Sequence, residues 1–97
     1  MDINEIDLKG SSPLHWASYL GCENAVSFIL SWNPKLDLKD EEGGLTPLHL
    51  AVISGNSRVV RKLLIKGSDR HIKDKNNKTP ADLAKDNDYI NILGMLV

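Results

Sequence analysis

The apolar positions of this chain recur at helical spacing. Ala25, Val26, Ile29 and Leu30 form one cluster, Val59, Val60, Leu63 and Leu64 a second, and Ile92, Leu93, Leu96 and Val97 a third, each with the i, i+1, i+4, i+5 pattern of one helix face. Ahead of each cluster lies a shorter helix with a readable start. Ser12, Thr46 and Thr79 each precede a proline, so the hydroxyl can cap free N–H groups while Pro13, Pro47 or Pro80 takes the first helical position with its fixed φ. These helices are expected to last about two turns, because Gly21, Gly55 and, at the third equivalent place, Asp88 interrupt the pattern where a C-terminus would lie. Asn33-Pro34 ends the first of the longer helices and Gly67 the second.

Between the helix pairs lie polar loops of one design: Asp7-Leu8-Lys9-Gly10, then Asp40-Glu41-Glu42-Gly43-Gly44, then Asp74-Lys75-Asn76-Asn77. Gly10, one of the two adjacent glycines, and Asn77 suit a turn position of positive φ. The whole chain is periodic. Ser12-Pro13-Leu14-His15-Trp16-Ala17 returns 34 residues later as Thr46-Pro47-Leu48-His49-Leu50-Ala51 and, after 33 more, in weakened form as Thr79-Pro80-Ala81-Asp82-Leu83-Ala84. A T-P-L-H-x-A signature at that period closely resembles the ankyrin repeat. The resemblance implies an all-α ankyrin-repeat solenoid of three helix-turn-helix units, which we place at about 2–31, 32–66 and 67–97. Terminal repeats of such stacks present a polar outer face, whereas Ile92, Met95, Leu96 and Val97 close this sequence. A part of a longer protein is therefore expected, with those apolar residues free to meet an adjoining surface.

Composition narrows the setting. At 97 residues, 41% apolar, 26% charged and a formal net charge of −1, this is ordinary globular composition for one domain, with no global pull toward nucleic acid. The single cysteine, Cys22, excludes an internal disulfide and a site built from several thiolates, and makes a reducing cytosolic or nuclear setting the default, of which we take the cytoplasmic one. No apolar run approaches the ~20 residues needed to span a bilayer. Met1-Asp2-Ile3-Asn4-Glu5 has neither the basic start nor the apolar core of a secretory signal.

His15 and His49 occupy the same place in two repeats, which fits a structural role better than catalysis, since an imidazole there can bridge neighbouring loops through its two nitrogens. Asp82 stands at the third equivalent place, so looser or differently satisfied contacts are expected around the last repeat. Cys22 has no partner at a motif-like spacing to activate it, and His71 is too isolated to hold zinc. Glu42-Gly43-Gly44-Leu45 lacks both the spacing and the lysine of a phosphate-binding loop. The segment reads as non-enzymatic, with no cofactor and no metal.

Stacked repeats make a concave surface from their first helices and loop tips, the face such solenoids use for binding. Here the residue after the motif histidine is Trp16, then Leu50, and Leu83 in the third repeat, while Tyr19 and Leu20 give way to Ile53 and Ser54 and then to Asp86 and Asn87. The face thus runs from aromatic to polar. Trp16 and Tyr19, one helical turn apart, have the contact area and polar atoms of an interface anchor. Trp16 also fits a second role, as a filler packed between repeats where Leu50 sits. The candidate partner-binding set is Trp16, Tyr19, Leu20 and Ile53 with the loop tips Lys9, Glu41, Glu42, Lys75 and Asn76, taking a protein or an extended peptide segment. The chain is read as a monomer. A second reading is a structural spacer that packs against neighbouring repeats or a membrane domain.

Several details carry a narrower resemblance. Phe28-Ile29-Leu30-Ser31-Trp32-Asn33, Leu36-Asp37-Leu38-Lys39-Asp40, the extra loop residue before Thr46, Leu48 to Asn56 and Ala81-Asp82-Leu83-Ala84-Lys85 are similar to the last repeats of the ankyrin domain in certain DHHC-type protein palmitoyltransferases. That resemblance implies a cytosolic region that recruits substrates for a membrane-embedded catalytic domain, whose Asp-His-His-Cys motif is absent from these residues. It also implies that Trp16, in Pro13-Leu14-His15-Trp16-Ala17, matches a tryptophan that holds an extended proline-containing substrate segment. The polar partner of that tryptophan comes from an upstream repeat, and the family's last repeats are not those that hold the peptide, so Trp16 carries the motif without its full setting.

Charge is unevenly placed. Arg58, Arg61, Lys62 and Lys66 form a stripe on one helix, Asp40, Glu41 and Glu42 make the second loop acidic, and Lys73, Lys75 and Lys78 make the third basic. Such runs ordinarily form solvated faces, and an anionic lipid surface against the stripe is a further reading.

Overall fold

The computed structural model describes residues 2–97. Six helices follow in three pairs: α1 Pro13–Leu20 and α2 Glu23–Leu30, α3 Pro47–Ile53 and α4 Ser57–Lys66, α5 Pro80–Asp86 and α6 Ile90–Leu96, and the described residues contain no strand. The short helices begin at the three prolines as expected. In each, the hydroxyl of Ser12, Thr46 or Thr79 accepts the amide of the third helical residue, and that residue's side chain accepts the cap's own amide, closing a capping box. At their far ends Gly21, Gly55 and Asp88 all take positive φ, so the expected breaks fall at the residues that reverse the chain. In the second loop it is Gly44, not Gly43, that occupies the left-handed position shared with Gly10 and Asn77.

The first helices α1, α3 and α5 pack side by side as one row, and the second helices α2, α4 and α6 as another behind it. Between the rows lies a continuous core that includes Leu14, Val26, Leu48, Val52, Val59, Val60 and Leu63. Burying a side chain of this kind is worth about 1.5–3 kcal/mol, so the core follows from the matched apolar offsets of the sequence.

Two expectations need correction. Ile92 and Leu96, read as free to meet an adjoining surface, are only 3% and 4% exposed, because α6 turns them inward onto the core. Met95 is half-buried there as well, and it is Ile90 and Val97 that face outward. Ala25, assigned to the apolar face of α2, is exposed: its counterparts Val59 and Ile92 are covered by the preceding helix pair, and among the described residues no pair precedes α2.

The loops share a hydrogen-bond plan. Asp7, Asp40 and Asp74 each donate their amide across the turn, to the carbonyls of Ser11, Leu45 and Lys78. The carboxylate of each aspartate accepts two amides from within its own turn. The extra residue of the second loop is absorbed here, since Asp40 spans five residues where Asp7 and Asp74 span four.

Two buried histidines tie one pair to the next. His15 Nδ1 accepts the Ser12 amide at 3.1 Å, which puts the ring proton on Nε2, 2.9 Å from the Leu45 carbonyl in the following loop. His49 repeats the arrangement, with the Thr46 amide at 3.2 Å and the Lys78 carbonyl at 3.0 Å. The expectation that these histidines bridge neighbouring loops is met at both places. Asp82 keeps the capping box through Oδ2, 3.0 Å from the Thr79 amide, and makes no hydrogen bond to another loop among the described residues. The amide and hydroxyl of Thr79 hold its carboxyl below the usual range.

Candidate functional site: a cleft beside Trp16

Trp16 and Tyr19 stand on α1 with their side chains on the loop-tip side, 51% and 50% exposed. Trp16 is therefore not a filler sealed between repeats. Its indole N–H donates to Asp7 Oδ2 at 3.0 Å, fixing the ring's edge while a face stays open. The Ser11 amide, and after it that indole bond, lower the pKa of Asp7, so its carboxylate keeps its charge to more acid pH than an ordinary aspartate.

Beside the ring lies a cleft of about 230 Å³ lined by Lys9, Ser11, His15, Trp16, Tyr19, Asp40, Glu42 and Leu50. Leu50, on α3, supplies the apolar floor and Trp16 with Tyr19 one wall. At the rim Lys9 Nζ and Glu42 Oε2 approach to 3.5 Å, an exposed pair worth little to stability. A more open hollow of about 360 Å³ is also bordered by Trp16, with Asp2, Glu5, Ile6, Asp7, Ser11 and Pro13. Trp16 and Ser11 thus line both depressions.

The structure brings four of the nine candidate residues into the cleft, namely Lys9, Trp16, Tyr19 and Glu42. Glu41 sits at its edge, its amide donating to the Lys9 carbonyl at 2.8 Å and its carbonyl accepting from the Lys75 ammonium. Lys75 also donates its amide to the Gly43 carbonyl at 2.9 Å. The three loop tips are consequently strung together by their own backbone. Leu20 and Ile53 are exposed farther along the row, and Asn76 is exposed on the third tip; none of the three lines the cleft. Sequence reasoning missed Ser11, Asp40 and Leu50 in the lining, His15 as part of it, and Asp7 as the acceptor of the indole N–H. Only Leu50 carried a signal, as the residue that follows the motif histidine in the second repeat.

No group of His, Cys, Asp and Glu able to hold a metal occurs among the described residues. Cys22 is exposed at the start of α2, and among the described residues no helix is long and apolar enough to cross a membrane.

A fold of paired helices, each pair opened by a capped proline motif at a period of 33–34 residues, defines a helical repeat protein, a class that generally mediates contact between proteins. The chain belongs to the ankyrin repeat family: the description "Ankyrin repeats (many copies)" matches residues 35–84 and "Ankyrin repeat" matches residues 9–41. It is an ankyrin segment, a non-catalytic module. Among curated proteins it is similar to palmitoyltransferase ZDHHC13 of Homo sapiens, 38% identical over 96 residues, which is 97% of this chain and 15% of that protein. It is also similar to palmitoyltransferase AKR1 of Candida glabrata, 36% identical over 78 residues, covering 80% of this chain and 10% of the relative. A transient receptor potential cation channel subfamily A member 1 homologue of Caenorhabditis elegans is 33% identical over 95 residues, 98% of this chain and 8% of the channel. The chain therefore spans about one seventh or less of the length of these relatives.

Proposed function

We propose that this chain is the substrate-recruiting ankyrin region of a protein palmitoyltransferase, held on the cytosolic side of a membrane, and that one copy of it seats an extended segment of a partner protein in the cleft beside Trp16. The observation that carries the reading is the half-exposed Trp16–Tyr19 wall over the Leu50 floor. Large aromatic area, with the indole N–H already bonded to Asp7, set against an apolar residue is the usual anatomy of an interface hot spot. An extended segment suits the cleft's size and its polar rim better than a folded surface would. The palmitoyltransferase names of the relatives support the parent enzyme.

The test is a displayed library of random peptides selected on the 97-residue chain. Selected peptides should lose at least about tenfold in affinity against Trp16→Ala, the cost of losing a modest hot spot. Affinity unchanged in Trp16→Ala and Tyr19→Ala alike would remove the cleft from consideration.

A spacer role has its own support in the outward-facing Ile90 and Val97 of α6. Appending further repeats after Val97 should raise stability sharply if those side chains are a stacking face, and leave it unchanged if they are not.

A further inference from the structure

The row of second helices carries a charge distribution opposite to the rest of the chain. Of 13 carboxylates in the sequence only Glu23 lies on α2, α4 or α6, whereas α4 alone carries Arg58, Arg61, Lys62 and Lys66. Glu23 accounts for Arg58, at 3.8 Å. Arg61, Lys62 and Lys66 have no ion-pair partner among the described residues. This row faces away from the cleft, so the recruiting surface makes no use of it.

Apolar groups are exposed on the same row. Ile65, between Lys62 and Lys66 along α4, is 78% exposed. Phe28 and Trp32, at the places on the first pair that Lys62 and Lys66 occupy on the second, stack edge to face with centroids 6.2 Å apart, and each is more than half exposed. In water those rings are unfavourably placed. At a bilayer surface an amphipathic tryptophan, a phenylalanine and an isoleucine reach the headgroup boundary, while long cationic side chains meet anionic headgroups.

We infer that the row formed by α2 and α4 docks on an anionic lipid surface through Arg61, Lys62, Lys66 and Ile65, with Phe28 and Trp32 as shallow apolar anchors. Charge complementarity selects this occupant: the row is basic on a chain of net charge −1. A basic face without deep apolar insertion gives reversible attachment, strongest at low ionic strength.

The experiment is co-sedimentation of the 97-residue chain with phosphatidylcholine vesicles, with and without phosphatidylserine. Binding should require phosphatidylserine and fall steeply between about 0.05 and 0.5 M NaCl, where screening shortens several-fold. The doubly substituted Arg61→Gln, Lys66→Gln chain should bind about 25-fold more weakly, at about fivefold per cation, with an unchanged melting temperature. Phe28→Ala with Trp32→Ala should weaken what remains at high salt. Trp16→Ala should bind vesicles like the parent chain, which separates this surface from the cleft. Equal binding to neutral vesicles, full binding by the double Gln variant, or vesicle release by Trp16→Ala would each overturn the inference. So would indifference to vesicles combined with salt-sensitive capture on immobilised polyglutamate, which would name an acidic protein as the partner instead.

Discussion

His49 Nε2 sits 3.0 Å from the carbonyl of Lys78, 29 residues away, while its Nδ1 accepts the amide of Thr46. One fully buried ring therefore completes a helix cap and fastens the next loop at once. Replacing His49 with Ala leaves the Thr46 amide unpartnered, takes one of two donors from the Lys78 carbonyl, which keeps the Asp74 amide, and opens a cavity. We expect a loss of about 3 kcal/mol, read as a drop in the urea midpoint; a loss below about 1 kcal/mol would show that water takes over both bonds.

The same residue sets a pH dependence. Burial lowers the basicity of His49 relative to the unfolded chain, so the unfolded state takes up a proton that the folded state refuses. Its share of stability is complete above about pH 6.5 and declines as pH falls below that value toward the lower folded pKa. Urea titrations at stepped pH should show this decline in the parent chain and a smaller one in His49→Gln. Identical slopes would assign the effect elsewhere.

Gly55 and Asp88 occupy equivalent left-handed turns, with φ of 72° and 58°. A Cβ at Gly55 would lie 3.2 Å from the Tyr89 ring as well as in an unfavourable backbone region. Gly55→Ala should therefore cost about 1–2 kcal/mol, and Asp88→Gly should add about 0.5 kcal/mol by relieving the same backbone region. Thermal melts of the two variants test the pair, and shifts of the same sign would contradict the argument.

Ser18 is fully buried in α1 with a hydroxyl that finds no partner, at the place Val52 fills on α3. Removing the hydroxyl as Ser18→Ala should stabilise the chain by about 1 kcal/mol. A destabilised variant would mean that the oxygen is hydrogen-bonded in solution.

Trp16 should matter little to folding. Half of its surface is already in water and its indole hydrogen bond reaches an exposed carboxylate, so Trp16→Ala is expected to change stability by less than about 1.5 kcal/mol. Asp7→Ala should shift its fluorescence by releasing the indole N–H. No spectral change would place the ring free of Asp7.

The local parts of this architecture were legible because local chemistry decides them. Prolines after hydroxyl residues started α1, α3 and α5, and the breaks at Gly21, Gly55 and Asp88 follow from a backbone need within a few residues. What the sequence left open depended on which neighbour covers a given face. Ala25 and Val59 share one register yet end on opposite sides of the burial divide, because only Val59 has a helix pair stacked before it. Ile92 and Leu96 looked like an open edge and proved to be core. Within the cleft, the aromatic wall could be read from Trp16 and Tyr19, but Asp7, nine residues from Trp16, gave no sign that it would anchor the indole.

The histidine bridges also give the stack a direction. Each one reaches forward, from His15 to the Leu45 carbonyl and from His49 to the Lys78 carbonyl, and Asp82 makes no corresponding bond. Deleting the first repeat, about 2–31, would leave the His49 bridge whole, whereas deleting the third, about 67–97, would remove Lys78 and strip the imidazole N–H of its acceptor. Two truncations of equal length are thus unequal injuries, and shortening from the Val97 end is the costlier one for the residues that remain.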